Sequence, residues 1–573
     1  MSILRMSAII SALDNYTPSQ IGENGTTEYT WSNSVRERII QLSFQLTRTR
    51  DQESINKLAI QTEKILKDLA SSYKSSSITK SGYVEYMSLL YRMIGHTRDI
   101  IDGKGEYTLS YMLLGVWHKE HPELAKFAFR HFLLSPEGTT DVHPYGSWKD
   151  VKYFYKQNKQ SALVQYGMQL LINQLRVDFI SDNPSLAAKW VPREKSQFGD
   201  LFTELAIDYF SNYTSTANSE ESRKKAIIKS KMDFRKLISS LNKKLDTVQI
   251  KQCDLRWAEI EPSKQTSITM HKQKRAFLNV TKKGEKRSEI DDRVACANKF
   301  KEFADKAVKG EVEIKGKRVG LNDFTLEAIE LINKHRDKSP EASILNAQWR
   351  DNSKQTGALG KMIAMVDVSG SMSGDPMNAA IALGIRVAEK SMLGKRVMTF
   401  SANPTWVNLS GQDTFVEMVQ TVSRAEWGMN TNFAVALNMI LDTVITHKLK
   451  PEDVEDMVLA IFSDMQMDQA DNQSKSLMDT IEKKYADAGN RLWGKPFKAP
   501  HILFWNLRST SGFPTLSTQK NCSMMSGFSP ALLNLFCEEG LEALQSCSPW
   551  SLFIKSLDNE RYKILDQFIR ETL

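Results

Sequence analysis

The sequence predicts a long all-helical region followed by a doubly wound α/β domain. Three observations carry this. From about Ser34 to about residue 340, apolar residues recur at three- and four-residue spacing, with almost no alternating pattern. From Lys361 onward, short apolar runs suited to buried parallel strands alternate with helical segments. The 573 residues also exceed what one core holds, since cores rarely grow past about 250–300 residues.

Residues 1–33 read as an N-terminal arm, polar and irregular, with the turn-rich stretch IGENGTTEYTWSN. The opening MSILRMSAIISALDNYTPSQ lacks the long apolar core and small-residue cleavage site of a signal peptide. Residues 34–340 form the helical domain. RERIIQLSFQLTRTRDQ, SINKLAIQTEKILKDLASSY, GYVEYMSLLYRMIGHTRDII, YTLSYMLLGVWHKEH and SALVQYGMQLLINQLRVDFI are helices joined by short breaks. Such a succession favours a stack or solenoid, although no sharp repeat period is present. EVEIKGKRVG, 311–320, reads as a short hairpin or extended arm, and 341–360 as a linker.

In residues 361–573, KMIAMVDV, RVMTFS, DMVLAIFSD and HILFWNL are the expected strands. PMNAAIALGIRVAEKSML, segments 412–424 and 432–446, and DNQSKSLMDTIEKKYADA are the expected helices. In such a sheet, ligands sit at the C-terminal ends of the strands, near a reversal of strand order.

The composition is 41% hydrophobic and 25% charged, which argues against a disordered or fibrous chain. No apolar run is long enough to span a membrane. Five cysteines, odd in number and with no CxxC pair, exclude a zinc ribbon and fit a reducing compartment. An intracellular, cytoplasmic protein is expected. The net charge of +8 is uneven: residues 1–360 carry 56 Lys and Arg against 44 Asp and Glu, and residues 361–573 carry 20 against 24. A basic front part suggests a polyanion partner.

Asp367, Ser369 and Ser371 stand two apart around a flexible Gly370, where the first strand ends. Asp464 closes DMVLAIFSD at the same edge, and Thr431 in WGMNTNF opens a helix from another loop. Two carboxylates and three hydroxyls form an all-oxygen set. Hard ligands of this kind suit Mg²⁺, Mn²⁺ or Ca²⁺ and argue against Zn²⁺. A coordination position left to water could take a carboxylate or phosphate from a partner.

The segments DVSGSMS, GMNTNF and FSDMQM resemble the metal-ion-dependent adhesion site (MIDAS) of von Willebrand A domains. The resemblance implies that Ser369, Ser371 and Thr431 ligate directly, with Asp367 and Asp464 often acting through water. With RDIIDGKGE, HPYGSWKD, AAKWVPREKS, FRKLISSLNKKLDTVQIKQCDLRWAEIEPSK, ILFWNLR and SGFS, the chain resembles a family of uncharacterised plant, fungal and large-DNA-virus proteins. That family joins a helical region to an A domain, and its layout is similar to the sixty-kilodalton Ro (TROVE) family. There, HEAT-like helical repeats form a ring closed by an A domain and bind RNA. The resemblance therefore implies a Ro-like ribonucleoprotein component.

The candidate RNA contacts are Arg98, Lys104, Trp148, Lys149, Lys189, Trp190 and Arg193, which mix cations with aromatics able to grip phosphate and stack bases. Lys224, Lys225, Arg235, Lys236, Lys272, Lys274 and Arg275 add a Lys/Arg-rich stretch. Gly103-Lys104-Gly105-Glu106 lacks the form of a phosphate-binding loop. With no HExxH, no GxSxG and no assembled nucleophile and base, the expectation is a non-enzymatic binding protein. The alternative is a metal-dependent protein-interaction scaffold, viral or particle-associated, that takes an acidic group from a protein partner.

Overall fold

The computed structural model of the protein describes residues 17–22, 25, 27–139, 142–400, 404–425, 433–454, 456–466, 477–510, 512–537 and 546–573. Helices dominate up to residue 353, and a six-stranded sheet follows. Helix starts are set by side-chain oxygens that accept otherwise orphaned backbone N–H groups. Asp51 accepts from Glu53 and Ser54 ahead of helix Gln52–Lys74, Thr79 caps Lys80–Arg98, and Ser219 with Ser222 forms a capping box ahead of Glu220–Leu245. Among the described residues, no helix is long and apolar enough to cross a membrane.

The sheet contains β3 (Met362–Asp367), β4 (Arg396–Phe400), β5 (Thr405–Asn408), β6 (Val458–Ser463), β7 (His501–Asn506) and β8 (Cys522–Ser526), in the order β5-β4-β3-β6-β7-β8. All neighbours run parallel except β4 and β5. Every residue of β3, β6 and β7 is buried, as their near-continuous apolar runs require. Successive connections leave β3 toward β4 and return to β6 on its other side, so strand order reverses between β3 and β6.

Three expectations are corrected. The arm contains an antiparallel hairpin, β1 (Ser19–Ile21) with β2 (Thr27–Tyr29). It is tied to the far end of the chain: Tyr29 N–H donates to the Phe513 carbonyl at 2.9 Å and Phe513 N–H to the Tyr29 carbonyl at 3.0 Å. Residues 311–320 form no strand. Gly316 N–H instead donates to Asp351 Oδ2 at 2.7 Å, and a Cβ there would fall 1.8 Å from the Gln348 carbonyl oxygen.

The expected linker 341–360 is largely a core helix, Pro340–Ser353, with Ser339 as its cap and proline in the first turn. Trp349 is fully buried and stacks on Phe415 with ring centroids 3.9 Å apart. Its indole N–H donates to Glu389 at 2.9 Å. Only a few apolar residues mark this helix in the sequence, which is why it reads as a linker.

Apolar cores also run across the expected boundary at 360/361. One apolar core runs from Leu90 and Phe129 through Ile461 and Phe504 on one sheet face to Leu565. A second, on the other face, joins Phe324 and Trp349 to Val366, Ala382 and Trp505. A third, smaller one gathers Trp257, Phe277, Phe300 and Ala347. Helix Lys563–Thr572 returns to helix Lys80–Arg98: the Arg561 guanidinium clasps Asp99 with two 2.7 Å hydrogen bonds, and Phe568 stacks on Phe127 at 3.7 Å.

Candidate functional site

Asp367 and Asp464 leave the sheet at the reversal point, where the general rule for such folds places ligands. Val366 is in register with Phe462, so Asp367 lies beside Ser463 and one residue from Asp464. Ser369 N–H donates to Asp367 Oδ1 at 2.9 Å and Ser463 Oγ to Asp367 Oδ2 at 2.6 Å. The Ser369 and Ser371 hydroxyls are 3.1 Å apart. Met465 occupies the left-handed region at φ +64°, uncommon for a side-chain-bearing residue. Its N–H donates to Ser463 Oγ at 3.0 Å, and Gln466 N–H donates to Asp464 Oδ1 at 3.2 Å.

Both carboxylates are fully buried. Burial first, and then the Asp464 charge, pushes the Asp367 carboxyl up to about 7. Buried like charges backed by two serine hydroxyls are a donor set that a hard divalent cation would neutralise, so the residues present fit such an ion. Among the described residues, no three His, Cys, Asp or Glu side chains form a metal-binding group, so the hydroxyls are needed to complete the set. Thr431 lies outside the described residues.

Two participants escaped sequence reasoning. Ser463 was visible only as the residue before a strand-ending Asp. Arg508, just past β7, donates to the Ser371 carbonyl at 2.7 Å, and its Nη1 stands 3.9 Å from Asp464 Oδ2. It places a half-exposed guanidinium at the rim.

The cationic candidates separate into three groups. Several are consumed inside the protein. Arg98 is fully buried, binds both Asp150 oxygens at 2.6 and 2.8 Å, and lies 4.1 Å over the Tyr107 ring. Lys104 is buried and donates to the Ser43 and Leu46 carbonyls and to Ser526 Oγ. Lys274 is buried against Glu327, Arg275 reaches Glu330 at 3.0 Å, and Trp148 belongs to the core. Arg98, Lys104 and Lys274 are thus spent on partners inside the protein.

A second group is exposed but paired along or between helices: Lys224 with Glu220, Lys225 with Glu221, Arg235 with Glu194 and Lys236 with Asp233. Arg193 is exposed nearby, and Lys272 is exposed on helix Ser267–Phe277.

The third group converges. Lys149, Lys152 and Lys189 place their ammonium nitrogens 4.6, 5.2 and 5.7 Å from the centre of the Trp190 ring. Lys152 also approaches Tyr153 at 5.3 Å and Phe198 at 5.8 Å, and Tyr153 is exposed. Among the described residues, none of the three lysines has a carboxylate within ion-pair distance. Burial holds all three below the ordinary lysine value. Lys152 was missed in the sequence, although Lys149 and Lys152 share one face of helix Lys149–Gln157 at three-residue spacing.

Residues 361–559 match the family model described as Domain of unknown function (DUF7788). The chain is also similar to an uncharacterized protein of Acanthamoeba polyphaga mimivirus, with 28% identity over 476 residues, 78% of this chain and 75% of that protein. That span exceeds the length of residues 361–573, so the likeness runs into the helical region. A relative in a large DNA virus agrees with that part of the resemblance.

Proposed function

We propose that this chain is a non-enzymatic, Ro-like RNA-binding protein whose nucleic-acid surface centres on Trp190, and whose sheet edge is a von Willebrand A-type metal site for docking a partner. The observation that carries the RNA reading is the convergence of Lys149, Lys152 and Lys189 on Trp190, with Tyr153 exposed beside them. Lysines without carboxylate partners attract phosphate, and aromatic faces stack bases, at about 1–3 kcal/mol per base. The surface suits single-stranded RNA, whose bases are free to stack.

At the sheet edge, Ser369, Ser371, Asp367 and Asp464, with Thr431, would hold Mg²⁺ or a similar hard ion. The ion would supply positive charge to an incoming acidic group. The chain's own contribution is to orient Asp367 through Ser463 and the Ser369 N–H, and to present Arg508 beside the ligand. The scaffold reading rests on this geometry and needs no RNA.

The test is binding of single-stranded and hairpin RNA across a salt series. Affinity should fall steeply with salt as counterions are released. Trp190→Ala with Lys152→Glu should weaken binding at least tenfold. A flat salt response, or no binding at low salt, overturns the RNA reading. A partner lost on EDTA treatment but indifferent to nuclease supports the scaffold.

A further inference from the structure

A cavity of about 400 Å³ lies where the helical region meets the sheet's C-terminal edge. Seven separate stretches wall it: Arg48, the loop 100–107, Lys149, Ile268 with Lys272, residues 317–323, Asn352 with Gln355, and residues 528–531. The volume is that of a small-ligand site, about 300–1,000 Å³. Arg48, Lys149, Lys272, Lys317 and Arg318 line it against Glu106 and Asp323, leaving three positive charges in excess. Glu106 is already committed to Arg48, at 3.0 Å. Among the described residues, Lys149, Lys272, Lys317 and Arg318 have no carboxylate within ion-pair distance.

The wall also offers open backbone and apolar rings. Gly105 sits at φ +72° with nothing within 4 Å of where a Cβ would stand, so a ligand can approach its main chain closely. Lys104 beside it turns its side chain inward to Ser526, which leaves the loop's backbone facing the space. Tyr107 and Phe528 contribute ring surface, and the Arg48 guanidinium lies 4.7 Å over Phe528. Burial, followed by the Lys272 and Arg98 charges, holds the Lys149 ammonium below its ordinary value, a repulsion that a bound anion would relieve.

We propose that this cavity binds a compact organic polyphosphate, a molecule of nucleotide size carrying two or more phosphate groups. The excess of cations calls for a multiply charged anion, and the walls from seven stretches limit its size. Lysine and arginine together match phosphate as point charge and as fork. Lys149 belongs to both surfaces, but Lys272, Lys317 and Arg318 lie outside the Trp190 cluster, so the two readings can fail separately.

The experiment is calorimetric titration of the full chain, in EDTA, with ATP and with myo-inositol hexakisphosphate. Saturable one-to-one binding of at least one probe is expected. Lys272→Glu with Arg318→Glu should weaken it at least tenfold, and Trp190→Ala should leave it unchanged. If the charge-reversal pair does not fold, Lys272→Gln with Arg318→Gln should weaken it at least threefold. Absence of saturable binding to both probes overturns the proposal, as does unchanged affinity in the folded variant. A single-stranded RNA that displaces the probe and loses affinity by the same factor in the Lys272/Arg318 variant also overturns it, and assigns the cavity to a macromolecule.

Discussion

Ser463 Oγ donates a 2.6 Å hydrogen bond to Asp367 Oδ2, joining β6 to β3 at the one place where strand order reverses among the described strands. The bond fixes one carboxylate oxygen while the Ser369 N–H fixes the other. The carboxylate is therefore oriented by its own chain.

Asp367→Ala should abolish high-affinity Mn²⁺ binding, measured by calorimetry, with at least a tenfold loss. Ser463→Ala should weaken it less, because the carboxylate remains and loses only its orientation. In EDTA, Asp367→Asn should melt at or above the wild-type temperature, since it removes one of two adjacent buried charges. A variant lacking the Asp367 carboxylate that binds Mn²⁺ as tightly as wild type would rule out the site.

Asp150→Ala should destabilise the protein by about 3–5 kcal/mol in urea unfolding, because Arg98 would be left buried and uncompensated. Arg98→Met with Asp150→Leu should recover most of that loss. Recovery separates an internal charge pair from an RNA contact, because RNA affinity should not follow it.

The pH dependence of stability has a definite sign at His96. Burial first, and then Lys104, lowers its value from 6.5 to about 3. The unfolded chain thus takes up a proton near pH 6.5 that the folded chain refuses until about pH 3. The stability contribution is complete above pH 6.5 and falls as pH drops, by about 1.4 kcal/mol per pH unit. His271 is lowered to about 3 as well, so the effects add. His96→Gln should remove one proton's worth of slope between pH 6 and pH 4.5 in thermal melts, and an unchanged slope would discount the group.

Leu565→Ala should cost about 2–5 kcal/mol, as for a buried leucine whose site cannot collapse. Leu565 is fully buried, and its Cδ1 stands 2.8 Å from where a Cβ on Gly95 would be. Gly95→Ala should therefore be comparably damaging, with both losses read in urea.

The strong elements were legible in the sequence. β3, β6 and β7 are continuous apolar runs, and their ends located Asp367 and Asp464 because a parallel strand delivers its last residue to a fixed edge. β8, spelled CSMMS, carries no β-branched residue, and β5 is only four residues long, so neither shows a strand signature. Among the cations, sequence spacing cannot tell an outward lysine from one folded onto a carbonyl. Lys104 and Lys149 look alike in the chain, yet one is spent on Ser43, Leu46 and Ser526 and the other lies over Trp190. Trp349 was overlooked because its partner Phe415 lies in a distant segment.

The clasp of Arg561 on Asp99 spans 462 positions of the chain. During synthesis, helix Lys80–Arg98 leaves the ribosome long before the residues that cover it exist, and at about 5–20 residues per second the interval is tens of seconds. For that time, Phe127 and the groove beside Gly95 stand uncovered. Premature termination upstream of Arg561 would leave that apolar surface without its cover, exposed to aggregation and degradation.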